Sequence, residues 1–163
     1  MKKHIIEKLK DYLSVNFFRL QGDFVKRNNG YDRMICDLLD EFKVDTCRYW
    51  DALWTNNGAK IPIEFKKGKS IWLNLVRYSE IKLGSCSDAK KETITLFFIP
   101  NKNKNKIDLI IGMKTSKLIH KLAFDTNDAN FIISLSKIVP RSLNTQASLT
   151  VNDLKKIADF IIE

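Results

Sequence analysis

Asp51, Glu64 and Lys66 are the residues whose types and spacing could do chemistry in this chain. They frame the run Trp50-Asp51-Ala52-Leu53-Trp54-Thr55-Asn56-Asn57-Gly58-Ala59-Lys60-Ile61-Pro62-Ile63-Glu64-Phe65-Lys66-Lys67, which reads as two strands joined at Asn57-Gly58. Asn-Gly between apolar runs favours a tight hairpin, because both residues tolerate the positive φ of a type I′ turn. Such a hairpin carries Asp51, on its first strand, to Glu64 and Lys66 at the end of its second. Strand side chains alternate faces, so Glu64 and Lys66 share one face while Ile63 and Phe65 point to the other, which reads as core. A fold has little reason to gather two carboxylates and an ammonium unless a cation or an anionic substrate sits between them. The arrangement points to Mg²⁺ facing phosphate, since Mg²⁺ is typically held by one or two carboxylates, with water and phosphate oxygens completing its shell. A lysine beside it can stabilise transition-state charge, or orient and deprotonate the attacking water.

Asp51, a short gap, then Glu64-Phe65-Lys66 resembles the D…(D/E)-X-K signature of the PD-(D/E)XK nuclease superfamily, most of all its small type II restriction endonucleases. The upstream Asp at hairpin distance, the apolar run Ile61 to Phe65 and the amphipathic segment that follows give the short motif its weight. The sequence departs from the pattern at Trp50, where the family has Pro. The resemblance implies an α/β core, Mg²⁺ held by Asp51 and Glu64 with help from the Phe65 carbonyl, and hydrolysis of a phosphodiester in double-stranded DNA with Lys66 stabilising the charge. One site cuts one strand, so cutting a palindrome implies a homodimer whose two-fold axis matches that of the DNA. The family often adds a carboxylate from a helix before the catalytic Asp; Glu41 is the choice here, with Asp37 and Asp40 as alternates. Some relatives carry a Q-x-x-x-Y pair on the helix after the motif. Asn74 and Tyr78 repeat its spacing, and with Arg77 they are candidate phosphate or site-support contacts. Lys67 and Lys69 are expected to hold the DNA backbone nearby.

Lys102, Lys104 and Lys106, interleaved with asparagines, form a loop suited to phosphates or to a groove, where Asn reads adenine edges and Lys guanine edges. The plain alternative is a solvated loop. Two rival functions stand beside a restriction enzyme: a Holliday junction resolvase or other structure-specific nuclease, and a basic nucleic-acid-binding module without catalysis. The irregular segments 84–92 and 137–149 favour sequence-specific cleavage over the resolvase. Intact Asp51, Glu64 and Lys66 argue against the inert module.

At 163 residues the chain fits one domain around one core. Its 44% apolar composition is globular, and no run approaches the ~18–20 apolar residues of a membrane span. Charges return too early after Met1-Lys2-Lys3 for a signal peptide, so a cytoplasmic protein is expected. Cys36, Cys47 and Cys86 form no C-x-x-C pair, and with only His4 and His120 they supply no zinc set; they read as reduced, buried or half-buried thiols. A net charge of +9 favours an anionic partner, nucleic acid first, although Lys- and Asn-rich coding bias would also produce it. No Walker A or dinucleotide-binding glycine pattern is present.

Apolar spacing predicts a helix over the first thirteen residues, a break at Gln21-Gly22, a turn at Asn28-Asn29-Gly30, and a second helix from Tyr31 to Phe42. Val44 to Leu53 and Ala59 to Lys66 are the expected site strands. Gly68 ends the second, and Ser70 caps a helix from Ile71 to Leu83 that sets Trp72, Leu75, Val76, Ser79 and Leu83 against the sheet. Strands follow at 93–99 and 107–113, a helix at 115–122, a strand at 130–136, an irregular stretch from Pro140-Arg141, and a closing helix to Ile162 with a capping box at Thr150 to Asp153. The sum is an α/β (α+β) single domain with a central mixed sheet flanked by helices, restriction-endonuclease-like. Residues 1–43 would be an N-terminal helical part, by analogy available for dimerisation, and 44–163 the catalytic and DNA-recognition core.

Overall fold

The Asn57-Gly58 turn closes with positive φ at both residues, 49° and 79°, the type I′ geometry whose twist matches the strands it joins. In this computed structural model, which describes residues 2–21, 30–69, 71–103, 106–122, 125–138 and 146–163, the turn links β2 (Ala52–Asn56) to β3 (Ala59–Lys67). The pair is antiparallel, with Ala52 opposite Ile63 and Trp54 opposite Ile61. On its other side β3 runs parallel to β5 (Ile94–Pro100). A parallel neighbour requires a crossover, supplied by β4 (Ile71–Asn74) and helix α3 (Leu75–Leu83). Antiparallel β6 (Ile107–Lys114) and β8 (Phe160–Ile162) extend one edge, and β1 (Phe42–Val44) closes the other against β2. The result is a six-stranded mixed sheet in the order β1-β2-β3-β5-β6-β8, plus a separate ribbon of β4 and β7 (Gln146–Leu149). The protein is thus α+β, built as one domain.

Apolar alternation along the central strands feeds a core on each face. On one face Ile63, Phe65, Leu96, Phe98 and Ile110 meet Ile6, Leu9 and Leu13 of α1 (Lys3–Asn16) and Ile35 of α2 (Tyr31–Leu38). On the other, Phe97, Ile99, Ile111 and Met113 meet Tyr78 of α3, Leu118 of α4 (Thr115–Leu122), Leu154 of α6 (Val151–Ile157), and Ile71 and Leu73 of β4. Burying each such aliphatic or aromatic side chain is worth about 1.5–3 kcal/mol, so these faces fix the register of β3. Residues 1–43 share this core: α1 and α2 cover the first face, and Phe42 already belongs to the sheet.

The structure departs from the sequence expectations in five places. The second helix ends at Leu38, not Phe42; Leu39 is extended, and the Phe42 ring lies between Tyr12 and Phe65, with centroids 6.0 and 5.9 Å away. The single strand expected over Val44 to Leu53 is two strands around a tight loop, in which Cys47 N–H donates to the Trp50 carbonyl and the Trp50 indole to Asp45. The helix expected from Ile71 begins only at Leu75, because Ile71–Asn74 pairs with β7; Trp72 is therefore exposed rather than packed on the sheet. Residues 130–136 are not a strand but part of helix α5 (Thr126–Ile138), started by reciprocal bonds between Asp125 and Asp128 and packed against α3. The closing helix stops at Ile157 and the chain re-enters the sheet as β8, while the Thr150–Asp153 capping box forms as expected. The remaining expectations at Gly22, Asn28-Asn29, Ser70 and Pro140-Arg141 fall outside the described residues. Cys36 and Cys47 are half-buried as expected, whereas Cys86, also expected to be buried or half-buried, is exposed. Among the described residues, no helix is long and apolar enough to cross a membrane.

Candidate active site

Strand alternation sends Ile63 and Phe65 into the first core and leaves Glu64 and Lys66 on the opposite face, beneath α3. Asp51 lies just before β2, where its backbone N–H donates to the Ile63 carbonyl at 2.9 Å. There β2 begins, so the ladder gives Phe65 no partner on that side. Its N–H donates to Asp51 Oδ2 and its carbonyl accepts from the Tyr31 hydroxyl, each at 2.8 Å. Both side chains are thereby fixed to the free edge of β3 beside Glu64.

Glu64 is only 3% exposed. Its Oε1 accepts from Lys66 Nζ and from the Arg77 guanidinium, while Oε2 is buried without a hydrogen-bond partner. Arg77 arrives on the first turn of α3, whose start is fixed by Asn74: the Asn74 side-chain oxygen accepts from Val76 N–H at 3.0 Å and Arg77 N–H at 3.2 Å. Two carboxylates and two cations therefore meet in a half-buried site. Burial, and then the Glu64 charge, push the Asp51 carboxyl up to about 6, against the opposing pull of the Phe65 N–H and Lys66. Burial, followed by Asp51 and Glu64, also raises the Tyr31 phenol well above its ordinary value. Burial lowers the Lys67 ammonium, which sits 5.0 Å from the centre of the Tyr31 ring.

The donors suit a small hard cation. A buried carboxylate oxygen without a partner, a second carboxylate whose pKa is raised by burial and then by its neighbour, and a carbonyl at the same strand edge are all oxygen ligands. Among the described residues there is no group of three or more His, Cys, Asp or Glu that could hold a metal. Mg²⁺ is typically held by one or two carboxylates and keeps several waters. The Phe65 carbonyl already accepts from Tyr31 and has one further lone pair to offer.

Compared with models of protein families, with curated proteins and with solved structures, the chain finds no match. The candidate site therefore rests on its own geometry.

Asp51, Glu64, Phe65, Lys66 and Arg77 come together as the sequence suggests. Glu41 does not join them: its carboxylate accepts from the Trp54 indole at 2.9 Å, and Trp54 lies in the core on the other face of the sheet. The reason is the early end of α2, which leaves Glu41 beside β1 rather than on a helix over the site. Asp37 and Asp40 are exposed. Tyr78 is buried in the second core, its hydroxyl unpartnered, and so presents nothing to a phosphate. Asn74 serves as the helix cap. Lys67 is half-buried, and Lys69 is exposed just beyond β3. Exposed Lys102 and Lys106 lie in the connection after Pro100, where β5 ends five residues past Thr95, the register partner of Glu64, and thus about 17 Å or more farther along the strand. Lys104 lies outside the described residues. Sequence reasoning missed Tyr31, whose place at the site depends on the docking of α2 and has no local signal beyond the Gly30 before it.

Proposed function

We propose that this protein is a Mg²⁺-dependent endonuclease that hydrolyses phosphodiester bonds of double-stranded DNA at a specific sequence, as a type II restriction enzyme does. One observation carries the reading: buried Glu64, with one oxygen neutralised by Lys66 and Arg77 and the other unpartnered, lies beside an Asp51 carboxyl pushed up to about 6. The two carboxylates and two cations sum to zero. A bound divalent ion would bring the site to +2, matched to the two negative charges of a pentacoordinate phosphodiester transition state.

Asp51 and Glu64 would hold the ion, helped by the Phe65 carbonyl. Bound there, Mg²⁺ supplies Lewis-acid polarisation of the phosphate and lowers the pKa of water. Arg77 holds the Glu64 carboxylate in one rotamer. Lys66 exchanges its bond to Glu64 for one to a phosphate oxygen, stabilising the charge that grows as water adds to phosphorus. One P–O ester bond then breaks; the attacking water gives up a proton to solvent, and the leaving oxygen takes one up from solvent. Cutting both strands calls for two copies, and the N-terminal part offers exposed apolar Val15 and Phe18, 84% and 87% accessible, as a surface for pairing.

The test is incubation of purified protein with linear phage-sized duplex DNA at modest salt, with and without millimolar Mg²⁺. Discrete fragments that need Mg²⁺ and vanish in Lys66→Ala are expected. Intact duplex beside cleaved four-way junctions would replace the restriction reading with a resolvase. DNA binding without cutting under any divalent ion would replace it with a binding module.

A further inference from the structure

We propose that the β4–β7 ribbon is the element that reads DNA sequence in the major groove, with Trp72 and Gln146 as its specificity-determining side chains. The proposal rests on the nuclease reading and names the recognition surface of that same site.

The ribbon has two unlike faces. Directly opposed residues of an antiparallel pair share a face, so Ile71 with Leu149, and Leu73 with Ala147, form one side, through which Ile71, Leu73 and Leu149 pack on the second core. Trp72 with Ser148, and Asn74 with Gln146, form the other side, and Trp72, Asn74, Gln146 and Ser148 are all exposed. Trp72 is 57% accessible to solvent and the only tryptophan so placed, Trp50 and Trp54 being 4% and 1% accessible; its ring gives a polar face one flat apolar and aromatic surface. One aromatic among Asn, Gln and Ser is a poor protein-interface core but suits base edges: glutamine is bidentate to adenine, and apolar surface meets the thymine methyl. The Asn74 oxygen is committed to capping α3, which leaves Gln146 as the amide able to make that bidentate contact.

Placement favours DNA as the occupant. The ribbon leaves the catalytic strand through Lys66, Lys67 and Lys69, and its last residue starts the helix turn that presents Arg77 to Glu64. Along the chain the exposed face thus lies within a few residues of the reacting centre, and it follows Lys67 and the exposed Lys69, cations suited to a polyanion. A two-stranded ribbon is also of a width that the major groove admits.

The buried state of Trp50 and Trp54 makes Trp72 its own reporter. Once cleavage of phage DNA has mapped the cut site, a duplex carrying it is titrated into the protein in Ca²⁺, following tryptophan emission and the anisotropy of the labelled duplex together. Binding should shift or quench the emission, and Trp72→Phe should abolish that change. Trp72→Ala should keep its circular-dichroism melting profile and bind about tenfold more weakly, and Gln146→Ala should cut at additional or altered sequences. Normal binding with unchanged emission, and wild-type affinity and fragments in both variants, would overturn the ribbon while leaving the nuclease standing. A concentration-dependent emission shift without DNA would assign the face to a second copy and also overturn it. Absence of both cleavage and binding would remove the nuclease reading, and the ribbon proposal with it.

Discussion

Replacing Asp51 by Asn should stabilise the metal-free protein while destroying its response to Mg²⁺. Asp51 is raised from 3.8 to about 6, chiefly by burial and by repulsion from Glu64. A shift of about two units corresponds to roughly 3 kcal/mol, which solvent screening of the exposed part of the carboxyl reduces to about 2 kcal/mol. Because the folded pKa lies above the unfolded one, the penalty is absent below about pH 4, grows through pH 6 and is complete above about pH 7. Asparagine keeps an oxygen for the Phe65 N–H and adds a donor facing Glu64, whose Oε2 lacks a partner. Thermal unfolding in EDTA should therefore show Asp51→Asn melting about 4–8 °C above wild type at pH 8 and within about 2 °C of it at pH 4.5. Millimolar Mg²⁺ should raise the wild-type melting temperature at pH 8 and leave the variant unmoved. A pH-independent gain, or no gain, would refute the argument that burial and the Glu64 charge disfavour ionised Asp51. Equal stabilisation of both proteins by Mg²⁺ would refute Asp51 as a ligand.

Arg77→Met should cost about 1–3 kcal/mol in EDTA, since Glu64 keeps Lys66 but loses its second cation, and Mg²⁺ should restore most of the loss; chemical denaturation with and without Mg²⁺ checks this. Tyr31→Phe removes one hydrogen bond, worth about 1 kcal/mol, and frees the Phe65 carbonyl, so calorimetry should find Mg²⁺ affinity equal or higher. Gly112→Ala should destabilise by about 3 kcal/mol or more, because a Cβ there would sit 2.1 Å from the Phe160 ring that seats β8 on β6. Urea denaturation reads that loss directly.

The candidate site was legible where local chemistry decides structure. Asn57-Gly58 specifies its turn from two residues, and the turn with strand alternation brings Asp51 to Glu64 and Lys66. Distant partners decide the rest. Ile71-Trp72-Leu73-Asn74 fits an amphipathic helix and an alternating strand equally well, and pairing with a segment about seventy residues later selects the strand. Phe131, Ile132 and Ile133 favour a strand by propensity, but the Asp125–Asp128 cap and the surface of α3 make them helical. The same holds for Glu41 and Tyr31: one was expected at the site and bonds to Trp54, the other was overlooked and bonds to Phe65. Neither side chain's partner is implied by its sequence neighbours.

β3 carries core and chemistry on successive residues, Ile63 and Phe65 inward to one layer and Glu64 to the other. A slip of one residue would drive the carboxylate into the apolar layer and a phenyl ring into the charged pocket, so a mispaired chain loses its hydrophobic seat and its reactive groups together. Assembly errors are for that reason silent. A strand that cannot be half right acts as a quality gate: the charged cluster of Asp51, Glu64, Lys66 and Arg77 assembles only with the finished sheet.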